Sequence, residues 1–165
     1  MAKNAVREET KRPVAKEVDL YSWALRQAEL LRAGRLMEID AAPIAEEIDD
    51  VAEEQYDKLE SALRVVMLHL LKWDHQPDKR SRSWTASVRE QRRRAERQLR
   101  KNPGLRSRLG EALGEANEDA RDEASAETGL PLSVFPVQRP FEYAENYGAS
   151  GHLARRRGLS IDRAK

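Results

Sequence analysis

The segment from His69 to Trp84 holds most of the side chains in this chain that could do chemistry. It gathers two histidines, two tryptophans, arginines and serines around a proline turn. His69 and His75, together with a carboxylate, would supply the ligands of a mononuclear metal site. A histidine on an apolar helix face is more often a hydrogen-bonded core residue, and no Glu-x-x-His pair of a di-iron bundle occurs. We therefore expect no metal and no cofactor.

The serines near this segment do not form a nucleophile motif. Ser81, Ser83 and Ser87 lack the Gly-x-Ser-x-Gly elbow. Ser83 is expected to cap a helix, and Ser87 stands three residues before a glutamate, which is the spacing of a capping box. Gly110 and Gly114 lie inside a helical pattern, so no glycine-rich phosphate loop is present. We predict no catalytic residue here.

Trp73 and Trp84 bracket the same turn and have two interpretations. In the first interpretation, they form an aromatic wall for a ligand, with Arg80 or Arg82 stacked on a ring. Alternatively, they form a local core cluster, which we favour because large rings at a helix turn usually pack together.

Composition indicates a helical protein. The chain has 165 residues, 39% hydrophobic and 36% charged, with no cysteine, and its length is that of one domain. It has no disulfide framework, no apolar run of about 20 residues that would span a bilayer, and no signal peptide in residues 1–18. We expect a cytoplasmic protein with a disordered arm (residues 1–18), one helical domain (19–147) and a loose basic tail (148–165).

Apolar spacing predicts the first two helices. Asp19 should cap a helix from Leu20 to Ala33, with Gly34 just beyond its end. Asp40 should cap a second helix of more than 30 residues that ends near residue 74 and is well buried only in its second half. Leu36 and Ile39 are expected to pack under the connection.

The remaining elements follow from the same pattern. A third helix begins near Ser83 and ends before Asn102, and a fourth runs from Leu105 to Gly129, with alanines that allow a neighbouring helix to approach closely. Residues 132–143 alternate apolar side chains with prolines, which predicts an extended strap. The fold class is all-α: a bundle of four main helices with one long second helix and an extended C-terminal strap.

Charges are segregated along the chain. Residues 79–101 hold ten Lys or Arg against two Glu, whereas residues 40–60 and 111–127 are strongly acidic. One interpretation is nucleic-acid binding through the third helix and the tail. The residues concerned are Arg92, Arg93, Arg97, Arg155, Arg156 and Arg157.

We favour internal pairing as the explanation of these charges. An antiparallel arrangement of the third and fourth helices would bring two like-charged ladders together, as flanking charges do in a coiled coil. The predicted pairs are Lys101 with Glu111, Arg97 with Glu115, Arg93 with Asp119, and Arg89 with Glu123.

Eight short segments match one known family. They are residues 23–34, 44–49, 69–73, 76–77, 80–84, 89–92, 118–121 and 127–131, and their most distinctive runs are WALRQAELLRAG, HLLKW, RSRSW and ETGLP. Together they resemble a bacterial domain of unknown function, family twenty-nine, across roughly residues 19–140. The resemblance implies a small all-helical protein without an assigned activity.

The chain departs from the family pattern at two places. The family usually has a tyrosine where this chain has Asn117. After Pro136 it usually has acidic residues and a cysteine, where this chain has Val137, Gln138 and Arg139. If these positions form a pocket wall or a thiol site in relatives, that site is altered here.

The family-like segments also contain scattered polar residues. Their convergence in one cleft would indicate a ligand or catalytic site. This candidate polar cluster comprises Glu47, His69, Gln76, Arg80, Arg89, Glu118 and Arg121.

The leading hypothesis is a non-enzymatic helical module that acts through protein contacts. The acidic first half of the second helix, from Glu46 to Glu60, would bind an unknown partner protein or a second copy of the chain. Nucleic-acid binding through the basic helix and tail is the first alternative. The second is an enzyme with a polar cleft around His69 and Arg80.

Overall fold

Four α-helices dominate the structure, a computed structural model that describes residues 15–137. They are α1 (Leu20–Arg32), α2 (Ala41–His75), α3 (Arg82–Lys101) and α4 (Leu109–Thr128). Short 3-10 segments lie at Leu36–Glu38, Pro77–Lys79, Pro103–Arg108 and Leu132–Val134. The described residues contain no strand, which confirms the all-α class. None of these helices is long and apolar enough to cross a membrane.

The sequence suggests one domain over residues 19–147. In the structure the chain divides into two compact units. The N-terminal unit is Met1–Val51 and the C-terminal unit is Ala52–Lys165. Helix α2 contributes its first residues to the former and the rest to the latter. Each unit therefore has to be understood from its own packing.

Local signals fix α1 as predicted. The Asp19 side chain accepts a hydrogen bond from the Ser22 backbone N–H at 3.0 Å, which satisfies one of the donors that a helix start leaves unpaired. Gly34 follows the helix with φ +69°, a left-handed conformation that glycine adopts without a steric cost. The predicted start and stop of α1 are confirmed.

Asp40 directly precedes α2, as predicted, and its backbone carbonyl accepts from the Ile44 N–H at 3.0 Å. Its side chain tethers α1. Its Oδ2 atom accepts hydrogen bonds from Trp23 Nε1 and Gln27 Nε2, both at 2.8 Å. The Asp40 backbone N–H donates to Gln27 Oε1 at 2.9 Å. Because Trp23 and Gln27 are both buried, this carboxylate closes the small core of the N-terminal unit.

The connection around Leu36 differs from the prediction. Leu36 is 62% exposed, so it does not pack under the connection, whereas Ile39 is partly buried. Residues 15–18 form a turn from which Lys16 reaches Glu46 at 2.9 Å and Glu47 at 3.0 Å. The rest of the predicted arm, residues 1–14, lies outside the described residues.

The C-terminal unit holds the main core. The second half of α2 contributes nine buried residues, from Tyr56 to Leu71. Helix α4 meets them with four fully buried alanines. These small side chains let helix backbones approach closely, as predicted, and the interior is then filled by larger leucines. The alanines are Ala112, Ala116, Ala120 and Ala124.

Two helix starts differ from the prediction for local reasons. Ser81, and not Ser83, is the N-cap of α3, because its side chain accepts from the Trp84 backbone N–H at 3.4 Å. The segment predicted to open the fourth helix at Leu105 is a 3-10 turn, and α4 begins at Leu109. Glycine at position 104 lowers the α-helical propensity of this turn.

The described part of the strap, residues 132–137, anchors to α4. Arg121 Nε donates to the Phe135 carbonyl at 3.1 Å and Asn117 Nδ2 donates to the Val137 carbonyl at 3.1 Å. Phe135 is 1% exposed and its ring meets the His75 ring edge-on at 5.0 Å. The remaining strap residues and the tail 148–165 lie outside the described residues.

Candidate functional site

The aromatic junction, formed by Trp73 and Trp84, is filled by the protein's own cations. Lys72 Nζ lies 4.9 Å from the centre of the Trp84 ring, and the Arg80 guanidinium lies 5.0 Å from that of Trp73. Arg80 Nε also donates to the Trp73 carbonyl at 2.9 Å. Each cation over a ring contributes about 0.5–1 kcal/mol at an exposed site. Of the two arginines offered for stacking, Arg80 lies over a tryptophan ring, and the ring faces under these two cations are already used.

A small crevice opens beside His69. Its volume is about 10 Å³, which is room for about one water molecule. His69 Nδ1 is buried without a hydrogen-bond partner among the described residues, and the His69 and Trp84 ring centres are 6.2 Å apart. The crevice is too small for a substrate. Within residues 15–137, no cluster of three His, Cys, Asp or Glu could hold a metal ion.

Burial and the charge of nearby Lys72 lower the pKa of His69, although Glu127 opposes this effect. The folded state therefore binds fewer protons at His69 than the unfolded chain does. By linkage, the His69 contribution to the free energy of unfolding declines as the pH falls below the unfolded pKa of about 6.5. His69→Gln should lose less stability than the wild-type protein between about pH 7 and pH 5.

Urea unfolding at the two pH values tests this prediction. His75→Gln is the matched control, because that histidine packs against Phe135 and belongs to the same helix end. An identical pH dependence in His69→Gln and wild-type protein would contradict the lowered pKa.

The candidate polar cluster is spread over several elements. Glu47 pairs with Lys16 in the N-terminal unit, Gln76 precedes a 3-10 turn, and Glu118 is exposed on α4. No hydrogen bond or ion pair among the described residues joins any two of Glu47, His69, Gln76, Arg80, Glu118 and Arg121. Arg89 is exposed on α3.

Sequence reasoning missed the contact between Asn117 and Val137. These are the two places where the chain departs from the family pattern, and the hydrogen bond in the strap joins them directly. Asn117 is 3% exposed and its Oδ1 atom has no hydrogen-bond partner among the described residues. The sequence showed only that the chain departs from the family pattern at two places twenty residues apart. The fold shows that these two places are in contact.

Three of the four predicted pairs between α3 and α4, those of Arg93, Arg97 and Lys101, do not form in the described part of the chain. Glu111 binds Arg108, and Glu115 accepts from the Tyr56 hydroxyl at 2.6 Å. Glu123 pairs with Arg64 of α2. Arg93 pairs with Glu90 of its own helix at 2.9 Å. The carboxylates on this side of α4 are therefore directed mainly at α2.

The outward face of α3 is strongly cationic as a result. Ten residues of this helix are exposed, and seven of them are Arg or Lys against one Glu. The seven are Arg82, Arg89, Arg93, Arg94, Arg97, Arg100 and Lys101; we call them the basic face. Arg92 is only partly exposed and its Nε atom is buried, so it lies off this face. Arg155, Arg156 and Arg157 lie outside the described residues.

Exposed apolar side chains concentrate in the N-terminal unit. Nine of the twelve large exposed hydrophobic residues in the described chain belong to it, and only two of its apolar side chains, Trp23 and Leu30, are buried. We call these nine the apolar set. They are Val18, Leu20, Tyr21, Leu25, Leu31, Leu36, Met37, Ile48 and Val51.

Comparison with known proteins gives one match. The family model described as "Domain of unknown function DUF29" matches residues 16–148, which is most of the chain. No curated protein and no solved structure matches it.

Proposed function

The chain belongs to the DUF29 family of domains of unknown function, and from its surfaces we propose that it is a protein-interaction module. Its N-terminal unit binds a partner protein through the apolar set. The observation that carries this proposal is the concentration of nine exposed large hydrophobic residues in so short a segment. Exposed apolar residues that concentrate in one part of a protein mark an interaction site more often than singly scattered ones do.

Helix α2 supplies the clearest support. Ile44, Ile48, Val51 and Leu59 follow one face of the helix at helical spacing. Leu59 is fully buried in the C-terminal unit, whereas Ile48 is 64% exposed and Val51 is 60% exposed. Fully burying a side chain of this type is worth about 1.5–3 kcal/mol. A partner that covers this open end of the stripe gains that energy.

The charge around the apolar set indicates the chemistry of the partner. Residues 15–51 hold nine Asp or Glu against four Lys or Arg, a net charge of −5. A second copy that docked with the same surface would bring two negative units together, which electrostatics disfavours. We therefore assign the site to a different protein with an apolar surface bordered by basic residues. We place this interaction in the bacterial cytoplasm.

Site-specific photo-crosslinking tests the proposal in cells of the source organism. A benzoylphenylalanine at position 48 of the full chain should give one discrete adduct with another protein. The same group at position 118, an exposed polar site on α4, is the matched control and should not give that adduct. The captured protein, once purified, should co-elute with the wild-type chain and not with Ile48→Glu.

A measurement of stability shows whether Ile48→Glu acts on binding alone. Ile48→Glu should change the free energy of unfolding by no more than about 0.5 kcal/mol, because an exposed apolar side chain contributes little to the isolated fold. Equal capture from both positions would overturn the proposal. An adduct with twice the mass of the chain would replace it with self-association.

A further inference from the structure

We infer that the basic face of α3 binds the phosphate backbone of a nucleic-acid duplex. This inference is independent of the apolar set, because it concerns the other compact unit and a different chemistry. It rests on the exposure of α3, the excess of cations on its outward side and the residue types on its surface.

The basic face is one continuous surface. Arg93, Arg97, Arg100 and Lys101 recur at intervals of four, three and one residues, which places them on one side of the helix. Helix α3 has 20 residues, so at 1.5 Å per residue its charged side is about 30 Å long. This length is close to that of one duplex turn, about 34 Å.

Several of the charges on this face lack a carboxylate partner in the described part of the chain. Arg94, Arg97, Arg100 and Lys101 make no ion pair with a carboxylate among the described residues. Arg93 is 66% exposed even though it contacts Glu90. The acidic helix predicted to neutralise α3 directs its carboxylates elsewhere. Like charges four residues apart destabilise a helix, so the fold alone gives no reason to keep them together.

A groove beside α3 sets the edge of the binding surface. It has a volume of about 400 Å³, and its lining includes Arg94, Arg97 and Lys101 from α3. Its opposite wall carries Glu54 and Asp57 of α2. A polyanion is repelled from that wall, so the footprint lies on the outward side, over Arg93, Arg97 and Arg100.

The residue types favour a duplex over other polyanions. Six of the seven cations are arginines, whose guanidinium groups bind phosphate through two parallel hydrogen bonds. The basic face has no exposed aromatic side chain, so it lacks the stacking platforms that hold single strands. Its only exposed apolar residue is Ala86, which leaves nothing to insert into a lipid surface.

Fluorescence anisotropy with a labelled DNA duplex of about 20 base pairs tests the inference across a salt gradient. The full chain should bind with micromolar affinity at low salt, and the logarithm of the association constant should fall linearly with the logarithm of the salt concentration. The variant Arg93→Gln/Arg97→Gln/Arg100→Gln should bind at least about tenfold more weakly at 100 mM salt. Its salt slope should be smaller by about 3, because three phosphate contacts are lost at about 0.9 each.

A charge-matched control separates the basic face from net charge. Arg26→Gln/Arg32→Gln/Arg35→Gln removes three exposed arginines from the N-terminal unit and should leave duplex affinity unchanged. Equal loss in both triple variants would overturn the inference, as would retention of full affinity by the α3 variant. Tighter binding to polyglutamate or to anionic phosphatidylglycerol vesicles than to the duplex would also overturn it, in favour of an acidic protein or a membrane.

Discussion

Phe135→Ala should lower the free energy of unfolding of the C-terminal unit by about 3–5 kcal/mol, the cost of emptying a large aromatic site in a core. Phe135 is almost fully buried and packs edge-on against His75. Its own carbonyl is held by Arg121, so the backbone stays in place and the cavity cannot easily collapse. Small domains have free energies of unfolding of only about 5–15 kcal/mol. This one substitution therefore removes a large share of the stability.

Equilibrium urea unfolding followed by circular dichroism measures this effect. Val134→Ala is the matched control, because Val134 is exposed beside it in sequence and its loss should cost less than about 0.5 kcal/mol. Phe135→Leu should recover most of the stability by refilling the site. A Phe135→Ala midpoint equal to that of Val134→Ala would show that the strap does not belong to the core.

Asp40→Ala should destabilise the N-terminal unit by about 2–4 kcal/mol. The substitution leaves two buried donors, Trp23 Nε1 and Gln27 Nε2, without the oxygen that accepts both, and each unsatisfied buried group costs about 1–3 kcal/mol. Asp40→Asn should destabilise the unit much less, because both donors bind one oxygen atom that an amide carbonyl can replace.

Hydrogen exchange of backbone amides isolates this local effect. In Asp40→Ala the amides of α1 should exchange at least about 30-fold faster, whereas those of α4 should be unchanged. Asp49→Ala is the control, since Asp49 is an exposed carboxylate of the same unit. Unaltered exchange in α1 would contradict the tethering role of Asp40.

The sequence predicted most helix boundaries because they depend on local chemistry. Asp19 as a cap and Gly34 as a stop need only neighbouring backbone groups. Gly129, with φ +72°, ends α4 for the same reason. The position of Asp40 at the start of α2 was predicted in the same way. Its side-chain bonds to Trp23 and Gln27 were not, because these donors are distant in sequence and no local rule identifies them.

Three of the predicted charge pairs failed for a different reason. Residue numbers specify an antiparallel register, but they do not specify how each helix is rotated about its axis. Glu115 and Glu123 turn toward Tyr56 and Arg64 of α2, and this rotation follows from packing the α4 alanines. The sequence therefore located the acidic and basic surfaces without identifying their partners.

The candidate site was only partly predictable. The sequence offered Arg80 or Arg82 as a cation over either of two tryptophans, and only the fold shows that Arg80 lies over Trp73. The apolar set was not foreseen as a surface, since Ile48 and Leu59 look equivalent in a periodic pattern. Only burial distinguishes the covered part of that stripe from the open part.

Isothermal titration calorimetry at several temperatures tests whether a partner protein covers the open α2 stripe. The captured partner should bind the wild-type chain with a negative heat-capacity change, which is the signature of apolar burial. Ile48→Ser/Val51→Ser should weaken the binding at least about tenfold, equivalent to about 1.4 kcal/mol, and reduce that heat-capacity change. Unchanged affinity and heat-capacity change in the double variant would contradict binding through the α2 stripe and would show that the partner binds elsewhere.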